Sequence, residues 1–146
     1  MIIRKMTIDD YDGIYQLWLN TPGMGLNTAD DSIEGISKYL NRNPNTCFVA
    51  ERDAEIVGVI MGGHDGRRGF IYHLAVKTSE RNSGIGSKLV DNVMNALEKE
   101  GIHKVALVVY GKNEIGNKFW EGIGFTTRED LVYRNKNITE LVHIDT

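Results

Sequence analysis

Residues 85–97 carry apolar side chains at Ile85, Leu89, Val90, Val93, Met94 and Leu97. That spacing predicts a helix from Gly84 to Glu100 with one continuous apolar face. Gly101 follows where a helix-ending glycine is expected. The helix lies between two strand-like runs, "FIYHLAV" (70–76) and "KVALVVY" (104–110). An apolar helix face between two strands must be buried on a sheet, so the chain is constrained to layered architectures of mixed helix and strand. The second run is apolar almost throughout, which predicts that both of its faces are covered.

The remaining segments fit around this unit. "MIIRKM" reads as a first strand, and "TIDDYDGIYQLWLN" as a helix opened by Thr7 and Asp10 at capping-box spacing. "TPGMG" breaks that helix, and a second runs from about Asp31 to Arg42. "TCFVAER" and "EIVGVIMGG", joined by "DA", form a hairpin, and Asp65-Gly66 marks the next turn. "NEIGNKFWEGIG" is a short helix, and "EDLVYRNKNITELVHI" supplies one or two closing strands. The 146 residues hold no repeat or linker, so a single domain, 1–146, is expected. With 41% apolar and 25% charged residues, the composition is neither disordered nor membrane-like. The start "MIIRKMTIDDY" lacks the apolar middle of a signal peptide, and Cys47 is the single cysteine, so a cytoplasmic protein without disulfides is expected. The net charge of -3, with scattered Lys and Arg, indicates no broad nucleic-acid face.

Gly84 and Gly86 stand at the mouth of the long helix, with Arg81 three residues before Gly84. A helix start leaves N–H groups unpaired and carries partial positive charge, so a Gly-containing turn there suits phosphate oxygens. The same residues also suit a plain turn whose helix packs on a sheet. A Walker A loop is absent, and the dinucleotide fingerprint fails because the position three after Gly86 is Leu89.

The pattern Arg81-x-x-Gly84-x-Gly86 resembles the acyl-CoA signature of the GCN5-related N-acetyltransferase (GNAT) family. A second element, Asn113, Gly116, Phe119-Trp120 and Gly124-Phe125, resembles the family's motif about thirty residues on, in the same order and spacing. The resemblance implies an α/β (α+β) acyl-CoA N-acyltransferase fold: a mixed, mostly antiparallel sheet flanked by helices, with its central strands splayed. It implies acetyl-CoA as co-substrate, held at its diphosphate by backbone N–H groups of Arg81, Asn82, Ser83, Gly84, Ile85, Gly86 and Ser87. Its pantetheine arm would pair with Leu74, Ala75 and Val76, one of whose N–H groups would polarise the thioester carbonyl. Asn113, Gly116 and Phe119 would line the same groove. Gly116 also reads as a tolerated surface glycine, and Phe119 as a core aromatic. Many members have tyrosine where this chain has Trp120, and that tyrosine is taken to protonate the departing thiolate. Tryptophan has no ionisable oxygen, so water or Tyr110 is left for the role.

The acceptor implied is a primary amine of a small molecule, an amino acid or a protein, attacking directly in a ternary complex. An amine of pKa about 10 must first lose a proton. His73, next to Leu74, is the candidate base, since imidazole changes protonation near neutrality. A half-exposed sheet histidine is the plain alternative. Tyr72, expected on the opposite face, is a rival. His64 and Asp65 belong to a turn, read either as a plain hairpin turn or as touching substrate, and Arg67 and Arg68 beside them either attract an acidic acceptor or form a solvated pair. Asp30, Asp31 and Glu34 give the second helix an acidic start, which serves either a cationic amine or the helix itself. The histidines show no metal-ligand spacing, so no metal is expected, and no membrane contact is expected. A homodimer is common in the family, but no residue here decides it. The alternative is a CoA-binding module with little transferase activity, which Trp120 favours.

Overall fold

In chain order the elements are β1 (Ile2–Lys5), α1 (Tyr11–Leu19), β2 (Leu26–Asn27), α2 (Ile33–Arg42), β3 (Phe48–Arg52), β4 (Glu55–His64), β5 (Gly69–Val76), α3 (Ile85–Lys99), β6 (Val105–Ala106), α4 (Glu114–Gly122) and β7 (His143–Ile144). They are taken from a computed structural model that describes residues 1–146. The main sheet has the order β1-β3-β4-β5-β6. Its first four strands are antiparallel, while β6 lies parallel to β5. A parallel neighbour needs a crossover, and α3 supplies it. The expected mixed, mostly antiparallel sheet flanked by helices is therefore present, and no helix is long and apolar enough to cross a membrane.

Strand alternation sorts the core to the two faces of the sheet. Val49, Val59, Met61 and Ala75 pack with Ile14, Leu17 and Trp18 of α1 and Ile36 and Leu40 of α2. Ala50, Ile60 and Ile71 pack with Ile85, Leu89, Val90, Val93 and Leu97 of α3 and Trp120 of α4. Each fully buried aliphatic side chain contributes roughly 2 kcal/mol of hydrophobic free energy, so the α3 stripe is a principal anchor. Ser32 caps α2: its Oγ accepts the Gly35 N–H at 3.0 Å. Cys47 is buried, and desolvation pushes its thiol up to about 12, which makes it a poor nucleophile.

Two expectations about the second half fail. The run Lys104–Tyr110 is strand only at Val105–Ala106. Its faces are not both covered: Val105, Leu107 and Val109 pack on the α3 side, while Val108 and Tyr110 are 58% and 53% exposed. The closing segment yields one short strand, β7, and it pairs with β2 rather than with the main sheet. Residues 126–142 form no helix or strand and leave Leu131, Val132 and Tyr133 exposed.

Near the N-terminus, Arg4 grips Asp10 through two hydrogen bonds of 2.7 and 2.9 Å, and Asp10 also accepts the Thr7 N–H at 2.9 Å. Burial pushes the Asp10 carboxyl up, but the Arg4 guanidinium and Thr7 more than reverse this and hold it below its ordinary value. A carboxyl depressed on folding contributes stability above its unfolded pKa and loses it as pH falls through the folded value. Asp10→Asn should therefore cost about 1–3 kcal/mol at pH 7. The difference from the parent should shrink below about pH 4, as read from urea midpoints at pH 7 and pH 3. An equal difference at both would locate the effect elsewhere.

Candidate functional site

Strands β5 and β6 touch at only two residue pairs, Gly69↔Val105 and Phe70↔Ala106. Beyond them the chains part, and the edge of β5 from Ile71 to Val76 has no strand beside it. This is the splay expected for the central strands. An open edge presents backbone donors and acceptors to any extended chain that enters. Leu74, Ala75 and Val76 lie on it.

At the far end of β5 the chain makes a short 3-10 turn, Thr78–Glu80, and then enters α3. The Nε–H of Arg81 donates to the Val76 carbonyl at 3.2 Å, and the Ser83 hydroxyl donates to Glu80 O at 2.6 Å. Asn82 and Gly84 both take left-handed backbone angles, φ +64 and +84. The backbone N–H groups of Asn82, Ser83, Gly84, Ile85, Gly86 and Ser87 find no acceptor in the protein. The Arg81 N–H, expected among them, is used by Thr78 O at 3.3 Å. The two glycines differ in purpose. Gly84 is required by its φ, with no atom within 4 Å of a Cβ built there. At Gly86 a Cβ would stand 3.3 Å from the Phe119 ring, so the missing side chain lets α3 and α4 approach.

Across the parting, β5 carries one residue too many for its partner. Val59↔Ala75 and Met61↔Tyr72 enclose one residue on β4 but two on β5. The surplus forms a bulge in which His73 adopts φ +51. The alternation of β5 is broken there, so Tyr72 does not face away from His73 as expected. Both line one cleft, with ring centroids 6.1 Å apart. His73 Nε2 is 2.8 Å from Asp31 Oδ1, and the Trp18 ring meets His73 edge-on at 5.1 Å. Asp31 is only 4% exposed, and its other oxygen accepts the Asn27 N–H at 2.8 Å. Sequence reading missed this partnership. Asp31 is 42 residues from His73, and its place before a helix already explained it. Trp18 Nε1 is the one buried side-chain nitrogen or oxygen without a partner.

The cleft has a volume of about 720 Å³ and lies between α2, the start of β6 and the bulged part of β5. Tyr110, on the departing chain after β6, reaches toward it. A Cβ on Gly25, a cleft residue, would lie 3.3 Å from the Tyr110 hydroxyl. Burial, then Tyr133 and Asp30, push the Tyr72 hydroxyl above its ordinary value. Asn113 is the cap of α4, accepting the Gly116 N–H at 2.9 Å. A Cβ at Gly116 would come to 2.5 Å from the Asn113 amide, so the glycine accommodates its own helix cap. Phe119 and Trp120 meet edge-on, and Trp120 also packs on Phe125 in the α3-side core.

The model of the acetyltransferase (GNAT) family matches residues 11–125. Acetyltransferase SG1711 of Sodalis glossinidius (strain morsitans) is 31% identical over 140 residues, covering 96% of this chain and 97% of that protein. Among solved structures, Ard1 from Thermoplasma volcanium superposes with a TM-score of 0.76 at 21% identity, over 86% of this chain and 82% of that one. The PaiA N-acetyltransferase of Thermoplasma acidophilum, solved in complex with coenzyme A, gives 0.75 at 18% identity over 97% and 96%.

Gly84→Ala tests the conformation of the helix mouth without crowding it. The left-handed angle should cost about 1–2 kcal/mol, measured by urea unfolding. An unchanged midpoint would show that residue 84 does not hold this conformation.

Proposed function

The chain belongs to the acetyltransferase (GNAT) family, and from that premise we propose that it transfers the acetyl group of acetyl-CoA to a primary amine held in the Asp31–His73 cleft, by direct attack in a ternary complex. The observation that carries this reading is the 2.8 Å contact between a buried carboxylate and a histidine at the point where β5 and β6 part. Acetyl-CoA supplies the acetyl group as an activated thioester.

The residues present fit this co-substrate. Six adjacent N–H groups without acceptors, from Asn82 to Ser87, and the open space at Gly84 suit a diphosphate. Arg81 contributes guanidinium charge rather than its N–H, which Thr78 occupies. The open edge at Leu74, Ala75 and Val76 suits an extended arm, with one N–H directed at the carbonyl oxygen. Phe119 walls the groove beside Gly86, and Asn113 and Gly116 flank it at the start of α4. On the other side, His73 takes the proton of the amine. Asp31 is a positioning residue that fixes the imidazole and stabilises it once charged. The Tyr110 hydroxyl returns a proton to the departing thiolate. Trp120, buried between Phe119 and Phe125, does not take that part.

Gly84→Asp should abolish acetyl-CoA binding in calorimetry by setting a carboxylate among the free amides; unchanged affinity would remove the diphosphate site. His73→Ala should lower kcat by about 100-fold or more and change the shape of its pH profile, with acetyl-CoA affinity intact. Asp31→Asn should lower kcat less and alter the same profile. A pH profile identical to that of the parent in both variants would exclude His73 as the base. The readout is thiol release over a panel of amines.

A further inference from the structure

The cleft that receives the acceptor has two chemically different ends. Asp30, Asp31 and His73 line one. At the other stand Lys38, Arg42, Arg68 and Lys104, brought together from three places. Lys38 and Arg42 lie in the second half of α2, beside the end of β4: Asn43 accepts the His64 N–H at 3.2 Å, and a Cβ on Gly63 would meet the Tyr39 hydroxyl at 2.5 Å. Arg68 immediately precedes β5. Lys104 immediately precedes β6, and its carbonyl accepts the Gly69 N–H at 2.9 Å.

None of the four cations has a carboxylate within ion-pair distance. The acids nearby are engaged otherwise. Asp31 holds His73, and Asp30 accepts the Asn27 amide at 3.0 Å. Asp65 accepts the N–H groups of Arg67 and Arg68, both at 2.8 Å, and Glu100 holds His64 at 2.8 Å. Asp130, which faces Lys104, is held by Arg128. Arg68 donates to the Arg67 carbonyl at 3.3 Å, but four cations without an ion-pair partner at one end of a cleft, in a chain of net charge -3, are a local excess against the overall balance. Between the ends run aromatic rings: Tyr39 meets Tyr72 edge-on at 6.0 Å, and Phe70 lies 4.7 Å from Tyr72.

Resting on the function proposed above, we propose that the acceptor is an extended amine with an anionic group at its far end, the chemistry of a short peptide with a free amino terminus and an acidic third residue. The length follows from the strand. From Gly69, beside the cations, to His73 is four residues, or about 13 Å at roughly 3.3 Å each. Three residues of extended peptide span about 10 Å, and an acidic side chain makes up the remainder. An α-amino acid is too short to reach both ends, and a polycationic amine would set its own charges against Lys38, Arg42, Arg68 and Lys104.

The test uses three peptides with free amino termini and amidated carboxyl ends: Ala-Ala-Asp, Ala-Ala-Ala and Ala-Ala-Lys. Each is titrated into the protein by NMR without cofactor, and acetyl-CoA binding is measured separately by calorimetry. Exposed ion pairs are weak one by one, so the Asp peptide should bind about tenfold more tightly than the Ala peptide, with the Lys peptide weakest. The preference should fade in 0.5 M salt. The double variant Lys38→Gln with Arg42→Gln, at two exposed positions, should bring the Asp and Ala peptides level, its fold checked by its thermal melt. Equal binding of the three peptides, binding of none, or an Asp preference that survives the double variant would overturn the proposal. A retained Asp preference in a protein that fails to bind acetyl-CoA would sink the transferase mechanism and leave the anionic end standing.

Discussion

Between Val59 and Met61 on β4 there is one residue, and between their partners Ala75 and Tyr72 on β5 there are two. The extra length is absorbed where His73 turns to φ +51, a conformation that costs a side-chain-bearing residue about 1–2 kcal/mol. The bond to Asp31 and the edge contact with Trp18 offset that cost. Without the bulge, strict alternation would send Tyr72 and His73 to opposite faces, and one of them would point into the α3-side core. With it, both enter the cleft, while Leu74 and Val76 still pack on the α3 side and Ala75 on the α1 side.

The parting of β5 from β6 depends on the same stretch of chain. After Phe70 the bulged strand keeps β4 on one side but has no neighbour on the β6 side, and α3 must begin far enough away to leave the gap open. The turn after Val76 sets that distance, tied back by the Arg81 bond to the Val76 carbonyl. Two left-handed residues, Asn82 and Gly84, fall among six N–H groups left without acceptors before the helix ladder starts with Lys88 to Gly84 O. The free N–H groups at the head of α3 and the Asp31–His73 cleft thus share one open strand edge, which is what the proposed function requires of them.

Much of this was legible in the sequence where periodicity or local turn chemistry decides. The α3 stripe, the β3–β4 hairpin at Asp53-Ala54 and the turn at Asp65-Gly66 lie where their patterns indicate. The apolar run Lys104–Tyr110 misled, because a composition suited to a strand covered on both faces also suits a chain that leaves its partner after two residues. The closing segment misled for a related reason: apolar residues such as Leu131, Val132 and Ile138 signal strand locally, yet they remain exposed. The bulge left little sequence signal: histidine is among the residues that tolerate a left-handed angle, but neither flanking residue is glycine and nothing local fixes where the extra residue falls. Nor did Asp31 announce its partner, because a contact 42 residues distant is set by how α2 sits on the sheet rather than by local pattern.

Trp120 bears on whether this site transfers acetyl groups or only binds coenzyme A. Its indole lies among Phe119 and Phe125, where it consolidates the α3–α4 side of the core. A thiolate whose conjugate acid has a pKa of about 8.5 needs little help to leave, so losing a tyrosine there weakens the chemistry less than losing a base would. The acceptor side argues more strongly. A module that only held coenzyme A would need the free amides at the head of α3 and the open edge of β5. It would have no use for a carboxylate withdrawn from water, at a cost of several kcal/mol, to hold a strained histidine on the opposite side of that edge. Such an arrangement suits a site where a proton must be taken from something bound in the cleft, and on the proposed function that something is the amine.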